Sequence, residues 1–345
     1  MAPLRGRIAV VTGGSRGIGA ATALALAEAG ADVAILARSA DVDEQIVARL
    51  RAAKVRSLVL ACDVASAAAV EGALADIAQR LGPVDVLVNN AGTVAPIGAS
   101  AQVDLAEWSA ALAVNLSGPF ACIRAVLPAM IARRWGRIVN VSTGAAAGTG
   151  MVKANAYSVS KAGLEMLTVN LAAELAGTGV TVNAVRPGIV DTEMQTYVRT
   201  RPPAVAGEDL VARFQAFKEQ GQLLSPSLPA TLIARLVAQE TSGEIVSIND
   251  PRGKSLLHDA GDVRIVVRGD PRSPHGAGRV LVWPSGGQVR DKVPSQDNGF
   301  SRTLDTALEV NLVQKNEHVA SRRYALRISE EPNSAENCRC RLSVL

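Results

Sequence analysis

The chain has 345 residues, 48% of them hydrophobic, 3% aromatic and 20% charged, with a formal net charge of +4. That length accommodates one large or two modest domains, and the composition excludes a disordered or collagen-like chain. With three Trp, three Tyr and four Phe, the core must be built from Ala, Val, Leu and Ile, which suits helices packed closely on a parallel sheet.

The charge is unevenly placed. Residues 1–250 hold 21 basic and 21 acidic side chains and the remainder holds 15 and 11, so the whole surplus lies beyond Asp250. A neutral body argues against a nucleic-acid footprint, and a pI near 9.0 is a property of the tail. Cys62, Cys122, Cys338 and Cys340 do not make a disulfide framework. No signal-peptide layout precedes the first apolar strand, so the expectation is a cytoplasmic protein with reduced thiols. No uninterrupted apolar run approaches the roughly 18 to 20 residues that span a bilayer, so no membrane partner is expected.

Up to about residue 250, Val/Ile/Leu-rich segments alternate with Ala/Leu-rich helical patterns. Strands are predicted at Arg7–Val11, Asp32–Ala37, Ser57–Cys62, Val84–Asn89, Gly136–Val141, Val180–Val185 and Glu244–Ile248. Seven strands with intervening helices predict an α/β domain, a doubly wound parallel sheet spanning residues 1–250.

The first strand runs into Thr12-Gly13-Gly14-Ser15-Arg16-Gly17-Ile18-Gly19 and then an Ala-rich helix. Such glycines let the backbone turn sharply and approach a pyrophosphate at the helix N-terminus. Gly13, Gly17 and Gly19 are not spaced as in the usual G-x-G-x-x-G, and alone the turn leaves nucleotide site and plain tight turn both open. The second strand ends Ala37-Arg38-Ser39. Ala37 stands where an NAD site places an acid for the ribose hydroxyls. Arg38 and Arg16 would instead suit a 2′-phosphate, which predicts NADP(H) over NAD(H), unless both arginines are plain surface residues.

Asn89-Asn90-Ala91-Gly92 ends the fourth strand. A long helix is predicted from about Asp104, its N-cap, to Arg134, bent at Gly118-Pro119 and carrying Asn115. A second runs from Asn155 to Gly177, whose missing Cβ suits a left-handed cap. It carries Tyr157 and Lys161, which share a face at i and i+4, so the ammonium stabilises phenolate and makes the tyrosine a usable acid or base. Both helices carry more apolar surface than one sheet face covers, which predicts a homodimer or homotetramer packed through them.

These motifs, with Asp63-Val64 and Pro187-Gly188-Ile189-Val190-Asp191-Thr192, resemble the short-chain dehydrogenase/reductase family over about residues 5–250, most nearly its 3-oxoacyl thioester reductases. The resemblance implies a Rossmann-type fold and hydride exchange between nicotinamide and a small-molecule ketone or secondary alcohol. It implies Tyr157 as proton carrier, Lys161 lowering the tyrosine pKa and holding the nicotinamide ribose, and Asn115 anchoring a relay water. Gly13, Ser15, Arg16, Gly17, Ile18 and Gly19 would line the phosphates, with Arg38 and Ser39 at the adenosine ribose and Asp63 and Val64 beside adenine. Asn90, Ala91 and Gly92 would contact the ribose side, and Pro187, Gly188 and Thr192 the nicotinamide. The family's catalytic hydroxyl is usually a serine. The register from Gly136 places Thr143 there, with Ser142 before it as the alternative. Glu193 to Pro226 sits where the family places a substrate lid, its aromatics either lining a pocket or anchoring helices. A cofactor-binding sensor or scaffold is the competing reading, and the intact Asn115, Tyr157 and Lys161 favour the enzyme.

Beyond Asp250 the texture changes to Pro, Gly, Ser and Arg among short apolar pieces, Val263–Val267, Arg279–Trp283 and Tyr324–Ile328, with a short helix expected at Leu304–Val313. The extension 251–345 reads as weakly structured or disordered, with a small β unit as the alternative. Trp283, Phe300 and Tyr324 are too few aromatics for nucleic acid, and Cys338-Arg339-Cys340 offers two soft ligands where a closed zinc site needs four, so no metal is expected.

Overall fold

The computed structural model describes residues 4–258 and, beyond them, five strands at 264–268, 279–283, 306–314, 317–327 and 341–343. It alternates strand and helix as β1 (Ile8–Thr12), α1 (Gly17–Glu28), β2 (Asp32–Ala37), α2 (Glu44–Ala52), β3 (Ser57–Ala61), α3 (Ala67–Arg80) and β4 (Val86–Asn89). Next come α4 (Leu105–Leu112), α5 (Gly118–Ala132), β5 (Gly136–Val141), α6 (Asn155–Glu174) and β6 (Val180–Arg186). The unit closes with α7 (Glu193–Arg199), α8 (Pro203–Ala206), α9 (Glu208–Glu219), α10 (Ser227–Val237), β7 (Ile245–Ser247) and α11 (Pro251–His258).

The seven strands form one parallel sheet in the order β3-β2-β1-β4-β5-β6-β7. Strands buried on both faces need continuous apolar runs, and β1 (IAVVT) and β5 (GRIVNV) are buried at every position. One core layer packs α1, α10 and α11 on the sheet through Ala23, Leu26, Leu232, Ile233 and Leu256. The other packs α3, α5 and α6 on the opposite face through Ile77, Ile123, Met130 and Leu171. Small side chains on both layers let helices sit close to the strands, which accounts for so few rings. The chain order reverses between β1 and β4, and that switch point opens a crevice at the carboxyl ends of the strands.

The helices refine the sequence expectations. Leu105–Ala132 is one continuous helix of 28 residues, with mean hydropathy 1.5 over its most apolar window, and so has the length and composition of a membrane span. Its inner face, with Ala111, Cys122, Ile123, Val126 and Met130, is buried against the sheet, the pattern of a core helix. Asp104 caps it, its Oδ1 accepting from Ala106 N at 2.7 Å and Glu107 N at 3.0 Å. The helix's irregularity is a π-helical turn just before the Gly118-Pro119 pair, at Ala113–Ser117. Gly118 serves packing: a Cβ there would lie 2.7 Å from the Val64 carbonyl oxygen. The helix α6 ends at Glu174, and Gly177 takes up the left-handed conformation just beyond it.

The first compact unit runs past Asp250 to Leu257. Asp250-Pro251 looks like a breaker, yet Asp at a cap and Pro in the first turn also start helices. Asp250 Oδ1 accepts from Gly253 N at 2.6 Å, and Leu256 is only 2% exposed within the core. In the second unit, β8 (Arg264–Arg268) pairs antiparallel with β9 (Arg279–Trp283). There β10 (Thr306–Gln314), β11 (Glu317–Arg327) and β12 (Arg341–Ser343) form an antiparallel sheet. Of the helix expected at Leu304–Val313, the described part, from Thr306 on, is a strand. Leu308, Val310 and Leu312 alternate with Glu309 and Asn311, a period of two that the expectation of a helix overlooked. Phe300 and Cys338-Arg339-Cys340 lie outside the described residues.

Replacing Leu256 with Ala should cost about 2–5 kcal/mol of unfolding free energy, the usual range for a buried leucine. Urea unfolding would measure it, and an unchanged midpoint would remove α11 from the core.

Candidate active site

The switch point brings the glycine turn after β1 against the loop after β4. Thr12 Oγ1 accepts from Asn90 N and Ala91 N, both at 3.0 Å. Asn90 Nδ2 in turn donates to the Thr12 and Gly13 carbonyls at 3.0 and 3.1 Å. Backbone approach is so close that a Cβ on Gly13 would meet Ala91 Cα at 2.9 Å, and one on Gly19 would meet the Gly13 oxygen at 2.2 Å. Gly13 and Gly17 also hold positive φ, at 61° and 54°. α1 then starts with no side chain bonded to its free N–H groups and no acid in its first turn. A dinucleotide phosphate fits this cradle, because uncapped amide hydrogens at a helix N-terminus attract an anion. Thr192 faces the same turn, its Cγ2 lying 3.3 Å from where a Gly17 Cβ would be.

Around the rim, Ala37 ends β2 buried, and Arg38 and Ser39 are exposed. Ser39 Oγ and Asp63 Oδ1 accept from the backbones of Asp41 and Ala65, so both side chains stabilise their own turns. Arg16 is exposed and paired with Glu193 at the start of α7, Nη1 to Oε2 at 2.6 Å. Gly188, at φ 80°, lies between Ile248 and Leu224.

The π turn aims Asn115 inward, where it is fully buried. Its Oδ1 accepts from Thr93 N at 2.8 Å, and its Nδ2 donates to the Thr93 carbonyl at 2.8 Å and to Ser160 Oγ at 3.1 Å. A Cβ on Gly92 would lie 3.2 Å from Asn115 Oδ1 and 3.5 Å from Lys161 Nζ, so the β4 loop, the π turn and α6 converge here. Lys161 is 3% exposed and donates to the Val141 carbonyl at 2.7 Å. Burial pulls its ammonium down to about 8 despite the Glu165 charge. Tyr157, 8% exposed, is pushed up by burial, and a hydrogen bond from Thr143 pulls it back. Desolvation thus dominates the phenol where the sequence suggested that Lys161 would.

The two candidate hydroxyls diverge because successive residues at a strand end face opposite ways. Ser142 is buried and donates to Glu165 Oε1 at 2.7 Å. Thr143 accepts from Ala145 N at 3.2 Å, which leaves its single O–H to be given either to Tyr157 or to a substrate oxygen. Sequence reasoning did not single out Ser160, Glu165, Arg186 or Glu193. Glu165 was within reach of it, at four residues beyond Lys161 on the face that carries Tyr157.

The helices α7–α9, in the stretch where the resemblance places a substrate lid, pack onto this wall. Val198, Ala206, Leu210, Val211 and Phe214 form one cluster with Val94, Ile97, Met151 and Tyr157. Arg201 stacks on Tyr197, 4.0 Å from the ring centre, and Phe214 and Phe217 lie 5.6 Å apart. Phe214 is buried in that cluster with Tyr197 and Phe217 packed against it, so these aromatics at least anchor their helices.

The short chain dehydrogenase family model matches residues 7–203. The chain belongs to that family and is an oxidoreductase. A 3-oxoacyl-(acyl-carrier-protein) reductase of Aquifex aeolicus is 34% identical over 71% of this chain and 97% of its own length. Among solved structures, a variant of actinorhodin polyketide ketoreductase with NADPH is 37% identical, with a TM-score of 0.63 over 70% of this chain and 95% of that one. An NAD+-bound xylitol dehydrogenase is 28% identical, with a TM-score of 0.65 over 71% and 98%.

Replacing Gly19 with Ala forces a Cβ onto the Gly13 carbonyl. It should lower stability by about 1–3 kcal/mol, the cost of overpacking, and should weaken nucleotide binding. Thermal unfolding and coenzyme titration both read it, and a variant equal to the parent in both would refute the close approach.

Proposed function

We propose that the protein reduces a small-molecule ketone, or in reverse oxidises a secondary alcohol, with Tyr157 exchanging the proton at the substrate oxygen. The observation that carries this is that Tyr157 and Lys161 lie buried one turn apart on α6, with Lys161 tied to the Val141 carbonyl at the end of β5 that leads into Thr143. A bound nicotinamide coenzyme supplies or accepts the hydride. Thr143 donates to the carbonyl oxygen as negative charge develops on it, a role suited to a preorganised donor. Tyr157, held protonated by burial, delivers its proton to the same oxygen. Lys161 has three N–H groups and spends one on Val141, leaving two for the coenzyme ribose and for stabilising the phenolate left behind. Asn115 fixes the Thr93 backbone and Ser160 beside the dyad and would anchor the relay water. Burying a phenol and an ammonium side by side costs stability, which a pure binding module has no reason to spend.

For the coenzyme, Gly13, Ser15, Gly17, Ile18 and Gly19 would receive the pyrophosphate. Asp63 and Val64 would border adenine, Ser39 and Asn90 to Gly92 the riboses, and Pro187, Gly188 and Thr192 the nicotinamide. NADP(H) is the preferred form, because exposed Arg38 follows the β2 end where Ala37 stands in the acid's place, and the glycine turn supplies exposed Arg16. Arg16 would trade Glu193 for the 2′-phosphate. The exposed apolar side chains on the long helices, Phe120 and Ile131 on α5 and Val159, Met166 and Val169 on α6, point to a second copy of this chain as their cover. Light scattering that finds only monomer would overturn that assembly.

Tyr157→Phe should cut turnover by about 10²–10⁴-fold while coenzyme still binds. Thr143→Ala should cost more than Ser142→Ala, and a screen of ketones and 3-oxoacyl thioesters provides the assay. Normal turnover in Tyr157→Phe would refute the mechanism. Reduction needs the Lys161 ammonium, so its rate should fall as pH rises through about 8. A rate still climbing above that point would contradict the assignment. The ratio kcat/KM should favour NADPH, and Arg38→Ala should erode that preference by about tenfold, one charge-assisted hydrogen bond. A parent enzyme faster with NADH would reverse it.

A further inference from the structure

Glu165 is 6% exposed and lies one helical turn beyond Lys161, itself one turn beyond Tyr157, so the three share the inner face of α6. A carboxylate is almost never buried this deeply without partners. Here Oε1 accepts from Ser142 Oγ and Arg186 Nε at 2.7 Å each, and Oε2 accepts from Arg186 Nη2 at 2.7 Å. Ser142 directly precedes Thr143 at the end of β5. Arg186 ends β6 and directly precedes Pro187-Gly188. One carboxylate therefore ties the helix of the dyad to the strand end that carries the hydroxyl and to the one that opens the loop expected at the nicotinamide.

We propose that Glu165 is a positioning residue for the reaction, holding Thr143, Lys161 and the Pro187-Gly188 loop in register and supplying the negative charge that the Tyr157–Lys161 dyad faces. This rests on the reading of Tyr157 and Lys161 as the catalytic dyad. The groups around the dyad leave few rivals for that electrostatic part. From α6 come Glu165 and the dyad itself, and β5 offers Ser142, Thr143 and the Val141 carbonyl. The β4 loop and the π turn present Gly92 and the uncharged Asn115. From β6 comes Arg186, which Asp250 attracts from its far side. The Glu165 charge opposes the loss of the Lys161 proton that burial drives. Arg186 partly neutralises that charge and so sets how much of it the dyad feels.

The sign of each perturbation follows. Removing a negative charge lowers the pKa of every nearby group, and removing a positive one raises it. Because Tyr157 and Lys161 lie one turn apart on one face, a charge removed at Glu165 acts on both, and the whole pH–rate profile of kcat should move rather than one limb. In purified full-length protein, E165Q keeps the size and one acceptor of the side chain and should displace the profile toward acid by about half a unit to one unit. R186Q should displace it toward alkali, and E165D should restore the parent position. A purely structural role would lower the rate without opposite displacements. A folded E165Q with the parent profile overturns the proposal. If E165Q does not fold, an unmoved profile in R186Q does so, and failure of both to fold assigns the cluster to folding alone. Tyr157→Phe measured alongside separates the two ideas: normal turnover there sinks the dyad itself, whereas lost turnover with unmoved profiles sinks only the role of Glu165.

Discussion

The hydrogen bonds around Thr12, where β1 meets β4, are the constraint from which the site is built. A single hydroxyl receives two backbone N–H groups of the β4 loop, and the Asn90 amide returns two bonds to the β1 turn. Two loops from different βα units are thereby fused into one wall, which glycine at 13 and 19 alone lets close this tightly. Parallel strand order supplies the opening and the polar stitching supplies its shape. The uncapped start of α1 is tolerable in such a place, because an anion there satisfies donors that would otherwise be stranded.

Beside that wall, α6 acts as a rod with a polar stripe on its buried side. Tyr157, Ser160, Lys161, Glu165 and Thr168 are all buried on it. Their partners come from three elements: Asn140, Val141, Ser142 and Thr143 from β5 and its end, Asn115 from the π turn and Arg186 from β6, with Asn140 Nδ2 reaching Thr168 Oγ1 at 2.9 Å. Buried polar groups are expensive unless each finds a partner. A stripe satisfied by three separate segments therefore allows few alternative placements of the helix. The added residue of the π turn is what lets Asn115 join without breaking the helix that carries it.

Much of this was legible in the chain, and the limits have physical causes. Strands buried on both faces announce themselves as apolar runs, so Asp32–Ala37 and Gly136–Val141 fall where expected and the others shift only at their ends. Gly, Asn, Tyr and Lys in order carried the candidate site because close approach and proton chemistry need those residue types. The π turn was not readable, since its residues, Ala113–Ser117, fit an ordinary helix equally well. The boundary expected after Asp250 falls where a helix begins, because Asp and Pro start helices as readily as they end domains, and the strand at Thr306–Gln314 lies where the sequence suggests a helix. Glu165 and Arg186 stayed hidden for another reason: their meaning lies in which strand ends meet one carboxylate, and that is a property of the sheet order.

The apolar cluster around Tyr157 carries a consequence for proton traffic. Burial is the leading cause of the raised affinity of Tyr157 for its proton, and part of the apolar cluster that surrounds it is contributed by Val198, Leu210, Val211 and Phe214 of α7 and α9. Proton affinity at the phenol is thus owned jointly by the helix that bears it and by helices far along the chain. Residues chosen to fit a substrate's carbon skeleton would at the same time set the dryness of the acid. Altering the α7 and α9 side chains of this cluster would therefore also retune the pH at which Tyr157 gives up its proton.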